Sequence, residues 1–116
     1  ETEGIQTITI TEHAKSRIMQ FAIDQLKVEK PKIWDGRWRL VSYDIPKEIR
    51  NVGENFREQL KTWNFYPLHK SVFLHAYSCI EQVDFLREYL GIGKYVRIFI
   101  VASIENDKLF RDFFEV

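Results

Sequence analysis

The fold of this chain is constrained most by residues 34–46, which read Trp-Asp-Gly-Arg-Trp-Arg-Leu-Val-Ser-Tyr-Asp-Ile-Pro. The aromatic, leucine and β-branched side chains from Trp38 to Tyr43 are typical of a buried β-strand. Pro46 suits the first turn of a helix, because its φ is already helical and its missing N–H has no partner to lose there. We therefore expect Asp44 to lie between the C-terminal end of a strand and the start of a helix. Metal-binding carboxylates and polar groups that begin a helix both occur at such positions.

The chain after Gly36 predicts alternating strands and helices. Ser78 and Glu81 match a capping box at a helix start, and Gly91 is typical of a helix end. A strand–helix–strand–strand–helix–strand order folds most simply as an α+β, ferredoxin-like βαββαβ sandwich, in which both helices lie on one face of an antiparallel sheet. The predicted elements are strand 37–43, helix 46–63, strands 65–68 and 71–77, a helix beginning at residue 78, strand 95–103 and a short final helix 107–114.

A sheet with both helices on one face leaves its second face open to water. Soluble proteins rarely leave a large apolar patch uncovered, and a second copy of the domain is the simplest cover. The fold therefore predicts a homodimer.

Residues 1–30 are predicted to form the end of another unit, separate from the ferredoxin-like region at 31–116. Residues 5–10 alternate apolar and polar side chains as a short strand does. Thr11 then suits the N-cap of an amphipathic helix. The chain begins without Met and without a signal-peptide pattern, so we expect it to be a piece of a longer protein.

Composition argues against several classes of protein. The 17 Lys and Arg residues balance the 17 Asp and Glu residues, which disfavours strong nucleic-acid binding by the surface as a whole. A single cysteine, Cys79, cannot form an internal disulfide, and no apolar run is long enough to span a membrane. The three histidines show no zinc-ligand spacing. We therefore expect a cytoplasmic protein with no membrane partner and no zinc site.

Three segments together resemble a known family. Residues 35–46, the Lys-Ser-Val-Phe sequence at 70–73, and residues 84–93 are similar to the central domain of PaaX-like transcriptional repressors. That domain is itself similar to the small CRISPR-associated protein that pairs with the integrase in spacer acquisition. The resemblance spans about residues 33–114, and residues 8–15 resemble the last strand and closing helix of a winged-helix domain.

The resemblance implies the dimerisation and regulatory domain of a bacterial transcription regulator, with the DNA-reading winged helix upstream of Glu1. The homodimer would set the spacing of two winged helices on a two-fold operator. Residues 11–30 would form a rigid connector, which Trp34 and Trp38 would pack against the sheet. A further hypothesis is that the protein is a sensor that binds a small-molecule effector such as an aryl-CoA.

The alternative function is a metal-dependent endonuclease that acts on RNA or DNA as a dimer. In the CRISPR-associated relatives, the residue that matches Asp44 ends the first strand, and two copies face each other across the dimer axis with a divalent ion between them. Mg²⁺ takes one or two carboxylates and keeps several waters, so Asp44 is the candidate metal ligand and catalytic residue. The structural alternative is that Asp44 accepts hydrogen bonds from N–H groups at the start of the next helix.

The same relatives place an aromatic residue and a Ser-Val-Phe segment in the dimer cleft, which marks Tyr43, Ser71 and Phe73 as interface candidates. The structural alternative is that Phe73 is a core residue and Ser71 begins a strand. A modest basic surface for nucleic acid is also expected, although most such charges belong to solvated helix faces. Its residues are Lys47, Arg50, Arg57 and Lys70.

Overall fold

The computed structural model describes residues 11–116 and shows an α+β fold built on one four-stranded antiparallel sheet. Its elements are α1 (Glu12–Gln25), β1 (Trp38–Tyr43), a 3₁₀ turn (Lys47–Ile49), α2 (Arg50–Thr62), β2 (Tyr66–His69), β3 (Val72–His75), α3 (Ile80–Leu90), a second 3₁₀ turn (Gly93–Tyr95), β4 (Val96–Val101) and α4 (Lys108–Phe114). The strand order is β2-β3-β1-β4, which is that of the ferredoxin-like βαββαβ sandwich. The predicted fold class is confirmed.

The main core lies between one face of the sheet and helices α2 and α3. On the central strand, Val41 lies opposite Phe73 of β3 and Ile98 of β4, so the three side chains share a face. Burial in this core raises the pKa of the Cys79 thiol to about 12, which leaves the thiol protonated and unreactive near neutral pH. The fully packed members of the core are Ile23, Val41, Phe56, Leu60, Trp63, Phe65, Phe73, Cys79, Val83, Leu86, Ile92 and Val96.

Helix α1 is packed onto this core. Its Ile23 side chain is only 1% exposed, and the indole N–H of Trp63 donates to the carbonyl of Leu26, just after α1, at 3.1 Å. The side-chain amide of Gln82 in α3 donates to the carbonyl of Lys27 at 2.7 Å. The end of α1 is therefore fastened to both α2 and α3.

Helix α4 covers part of the second face of the sheet. Trp38 is 1% exposed, and its ring lies 6.1 Å, between centroids, from Phe110 and from Phe114. The Tyr77 hydroxyl donates to the carbonyl of Phe114 at 2.5 Å. Trp38 therefore packs α4 rather than the connector helix against the sheet, and the expectation of a wholly open second face is wrong.

Two local predictions differ from the structure, and a third is not tested by it. Pro46 precedes a 3₁₀ turn, and the α-helix begins only at Arg50. The capping box is wrong, because α3 starts at Ile80 and its N-cap residue, Cys79, makes no side-chain cap hydrogen bond. The strand predicted at 5–10 lies outside the described residues. Within residues 11–116, no helix combines the length and the apolarity needed to cross a bilayer.

Candidate functional site

Asp44 lies at the junction of three segments of the fold. It follows the last residue of β1, and its backbone N–H donates to the carbonyl of Tyr95 at 3.0 Å. The backbone N–H of Tyr43 donates to the carbonyl of Ser71 at 3.1 Å. The end of β1 is thus tied to the β2–β3 turn on one side and to the start of β4 on the other.

A groove of about 510 Å³ opens on the α2 side of Asp44. We call it the basic groove, because four of its lining side chains are cationic. It brings together seven of the eight residues singled out in the sequence, although they come from the end of β1, the start of α2 and the β2–β3 turn. The lining residues are Tyr43, Asp44, Ile45, Lys47, Arg50, Gly53, Glu54, Arg57, Lys70 and Ser71.

A second groove, of about 380 Å³, opens on the other side of Asp44 and shares Tyr43 and Asp44 with the first. We call it the β4 groove. Its additional charged and aromatic side chains were not predicted from the sequence. The pairing of Ser42 with Arg97 in the β1–β4 ladder brings them there. The lining residues are Ser42, Tyr43, Asp44, Lys94, Tyr95, Val96, Arg97 and Phe99.

Phe73 does not line either groove. Its side chain is fully buried, which agrees with the alternative prediction that Phe73 is a core residue. The Arg57 guanidinium carbon lies 5.3 Å from the centre of the Phe73 ring, and its Nη1 donates to the carbonyl of Lys70 at 2.7 Å. Arg57 therefore holds the β2–β3 turn against α2 as well as contributing charge to the basic groove.

The carboxylate of Asp44 does not act as a helix cap. Asp44 is exposed, and neither the 3₁₀ turn nor α2 has a side-chain cap hydrogen bond. The expectation that Asp44 accepts hydrogen bonds at the helix start is wrong. Asp44 instead lines two grooves whose other charged side chains, apart from Glu54, are Lys and Arg.

The residues of one chain do not fit a Mg²⁺ site at Asp44. Mg²⁺ is usually held by carboxylates and substrate phosphates, and residues 11–116 contain no group of three or more His, Cys, Asp or Glu side chains that could hold a metal ion. Glu54 is the other acidic residue of the basic groove, where it shares the lining with four cations. Like charge near a site disfavours a further cation.

One family model, described as the PaaX protein central Cas2-like domain, matches residues 31–109, more than half of the chain. The chain belongs to this PaaX family. Neither the curated proteins nor the solved structures include a significant match. The PaaX match takes in the whole sheet, helices α2 and α3, and every residue of both grooves.

A buried polar cluster lies at the opposite end of β1 from Asp44, still within the residues that match the PaaX family. The side chain of Arg39 is 8% exposed and pairs with Asp35 at 2.5 Å. Arg39 Nη1 also donates to the carbonyl of Ala76 at 2.7 Å. Hydrogen bonds from Arg39 and from the Arg37 N–H hold the pKa of Asp35 below its usual value. In this cluster the half-exposed carboxylate of Asp35 therefore neutralises the buried guanidinium of Arg39.

His75 is neutral in this cluster. Its Nε2–H donates to the carbonyl of Trp63 at 3.0 Å, and its Nδ1 accepts from the N–H of Tyr77 at 3.2 Å. Both nitrogens are therefore satisfied by one neutral tautomer. Burial is the main cause that lowers the pKa of His75 to about 4, the charge of Arg39 lowers it further, and the Trp63 carbonyl opposes the shift.

We predict that His75 makes the protein less stable in mild acid. The unfolded His75 binds a proton below its ordinary pKa of 6.5, whereas the folded residue resists protonation down to about 4. Neutral His75 therefore contributes fully to stability above pH 6.5, and this contribution is lost as the pH falls to 4. The free energy of unfolding decreases by roughly 3 kcal/mol over that range. Urea unfolding at pH 7 and pH 5 should show about 2 kcal/mol of this loss.

The control for this prediction is a pair of glutamine variants. His75→Gln should abolish most of the loss of stability between the two pH values, while His69→Gln, at an exposed position, should retain it. An unchanged pH dependence in His75→Gln would show that other groups cause the acid sensitivity.

Proposed function

We propose that this chain is the dimerisation and regulatory domain of a PaaX-like bacterial transcription regulator whose DNA-reading winged helix lies upstream of Glu1. The observation that carries the proposal is the match of residues 31–109 to the PaaX family. In this proposal the domain forms a homodimer and so fixes the distance between two DNA-reading units. Such units read two-fold operators whose half-sites are separated by whole helical turns.

The uncovered part of the second sheet face supports the dimer. Leu40 of β1 lies opposite Leu74 of β3 and Phe99 of β4, so these apolar side chains share that face. Phe99 is 44% exposed beyond the edge of the α4 cover, and Phe113 of α4 is 42% exposed. A second copy placed on this half-face by a two-fold axis would cover the exposed apolar surface around Phe99.

Helix α1 supports the connector role. Ile18 and Phe21 lie about one turn apart on α1 and are 56% and 66% exposed, whereas Ile23 of the same helix is buried in the core. The Ser16 and Tyr89 hydroxyls lie 3.3 Å apart and form a further bond to α3. An anchored helix with an exposed apolar stripe is suited to hold a neighbouring domain in one orientation.

The dimer is tested by two substitutions in adjacent positions of β4. Phe99→Asp places a charge on the uncovered sheet face, while Ile100→Asp places the same charge on the opposite face at a similar exposure of 49%. We expect sedimentation equilibrium at tens of micromolar protein to give a dimer for the unmodified chain and for Ile100→Asp, and a monomer for Phe99→Asp.

Two results would contradict this proposal. A strict monomer for the unmodified chain would remove the dimer altogether. Loss of the dimer in Ile100→Asp but not in Phe99→Asp would mean that the copies meet through the helical side of β4 rather than through the uncovered face.

A further inference from the structure

A small pocket lies beside the buried polar cluster of Arg39, at the end of β1 that is opposite to Asp44. One side of the pocket comes from the segment that joins α1 to β1, and the other side comes from Arg39 and from residues 76–78, which follow β3. Its volume is about 130 Å³, whereas pockets for drug-sized ligands measure roughly 300–1,000 Å³. A ligand for this pocket must therefore be small.

Arg39 has two unused N–H groups on one edge of its guanidinium. The Asp35 carboxylate spans both terminal nitrogens, since Oδ1 accepts from Nη1 at 3.1 Å and Oδ2 accepts from Nη2 at 2.5 Å. The carbonyls of Arg37 and Ala76 share the second N–H of Nη1. A guanidinium has five N–H groups in one plane. The Nε–H and the second N–H of Nη2 therefore remain, and these two point in the same direction. We call them the open edge of Arg39.

The open edge belongs to a buried side chain. The side chain of Arg39 is 8% exposed, and its Nε has no hydrogen-bond partner among residues 11–116. A buried donor without an acceptor is unfavourable. Two parallel N–H groups of a guanidinium are also well arranged to bind oxygen acceptors. Because Arg39 lines the pocket, an oxygen atom of a ligand is the natural partner for this edge.

The charges of the pocket favour an uncharged ligand. Its lining contains two acids, Glu29 and Asp35, but Arg39 is its only cation. A carboxylate or phosphate ligand would therefore meet more negative than positive charge. The oxygen that best suits the open edge is that of a neutral carbonyl group.

The other polar groups of the pocket favour an amide. The Trp34 indole N–H already donates to the carbonyl of Ala76 at 2.8 Å, and the Tyr77 hydroxyl donates to the carbonyl of Phe114. Glu29 and Ser78 are exposed and offer oxygen acceptors. A donor edge on one side and acceptors on the other complement a carboxamide, which has a carbonyl oxygen and an NH₂ group.

The remaining wall of the pocket is apolar. It is formed by Pro31, Ile33 and Trp34, and the Ile33 side chain is 85% exposed. A ligand that covers Ile33 removes apolar surface from water. A short branched aliphatic group is of the right size and polarity for this wall.

We propose that the pocket binds a small, uncharged carboxamide that carries a branched aliphatic group. The carbonyl oxygen accepts from the open edge of Arg39, the amide NH₂ donates to Glu29 and Ser78, and the aliphatic group packs on Ile33. The pocket shares no lining residue with the basic groove or the β4 groove. Binding at this site is therefore independent of the proposed dimer and of the DNA-reading unit.

Nuclear magnetic resonance of the ¹⁵N-labelled chain tests the site, with isovaleramide as the probe. We expect saturable shifts of the Arg39 Nε–H and Trp34 indole N–H signals. A ligand of about seven non-hydrogen atoms is expected to bind with a Kd of roughly 1–10 mM. Isovalerate has the same shape but carries a negative charge, and it should bind about tenfold more weakly or worse.

Two variants test the charge and the apolar wall separately. Glu29→Gln keeps an oxygen acceptor but removes a negative charge, so the affinity for isovaleramide should stay within about twofold while that for isovalerate rises about threefold or more. Ile33→Ala should weaken isovaleramide binding by about threefold to fivefold. Leu109→Ala is the matched control, because Leu109 is 60% exposed on α4, outside the pocket, and should change nothing.

Three results would overturn the proposal. The first is the absence of a saturable shift of the Arg39 Nε–H signal, even if the Trp34 signal moves, because the carbonyl would then not reach the open edge. The second is equal affinity of the unmodified chain for isovaleramide and isovalerate. The third is an equal effect of Ile33→Ala and Leu109→Ala. The backbone spectrum of each variant checks that it is folded.

Discussion

Replacing Trp38 with Ala is expected to lower the free energy of unfolding by about 4 kcal/mol. Trp38 is almost fully buried between the sheet and α4, and its ring lies 4.9 Å from that of Trp34. Removing the indole leaves a large cavity and takes away one of the aromatic neighbours of Phe110 and of Phe114. Because α4 is only seven residues long, it depends on such tertiary contacts to remain helical.

Urea unfolding followed by circular dichroism measures this effect. Trp38→Phe keeps an aromatic ring at this buried position and should lower the free energy of unfolding clearly less than Trp38→Ala does. Ile33→Ala, at a side chain that is 85% exposed, should change the stability by no more than about 0.5 kcal/mol. A loss for Trp38→Ala as small as that for Ile33→Ala would show that α4 does not pack stably on the sheet.

Asp35→Asn is expected to lower the free energy of unfolding by about 3 kcal/mol. The substitution removes the negative charge that faces the buried guanidinium of Arg39. A buried charge without its partner is far more costly than a buried pair. The guanidinium would keep the carbonyls of Arg37 and Ala76 as acceptors, but these groups are neutral, and the Arg39 Nε has no hydrogen-bond partner among residues 11–116. The exposure of Asp35 to solvent places the expected loss at the lower end of the range for such pairs.

A double-mutant cycle measures the pair. Asp35→Asn combined with Arg39→Met should be more stable than Asp35→Asn alone, since the unpaired cation is then absent. Asp84→Asn is the matched control, because Asp84 pairs with Arg87 at 2.9 Å on the surface and should cost less than about 1 kcal/mol. Equal effects of Asp35→Asn and Asp84→Asn would mean that the Arg39 pair is solvated like a surface pair.

The elements of the fold follow from patterns that are local in the sequence. β1 is recognisable as a buried strand because aromatic, leucine and β-branched side chains fill a short continuous run. The apolar stripe of α2, which includes the buried Phe56 and Leu60, is recognisable because a helix imposes a period of 3.6. Handedness and short connections then leave few ways to join these elements, so the strand order could be predicted as well.

The site was predictable only in part. Asp44 and the basic residues of α2 and the β2–β3 turn were recognised individually, and the fold brought them to one groove. Lys94, Arg97 and Phe99 of the β4 groove were missed, because their place beside Asp44 depends on the register between β1 and β4. Register is a relation between distant segments and leaves no periodic mark in either one.

The amino-acid sequence by itself determined the strands, the two core helices, their order and the family to which the chain belongs. Only the tertiary structure decided that α4 folds back over Trp38, that Arg39 and His75 become buried opposite each other in β1 and β3, and that the Asp44 carboxylate remains exposed without capping a helix. The physical reason is that side-chain periodicity is imposed by the local backbone, whereas the burial of a particular side chain depends on which distant segment comes to cover it.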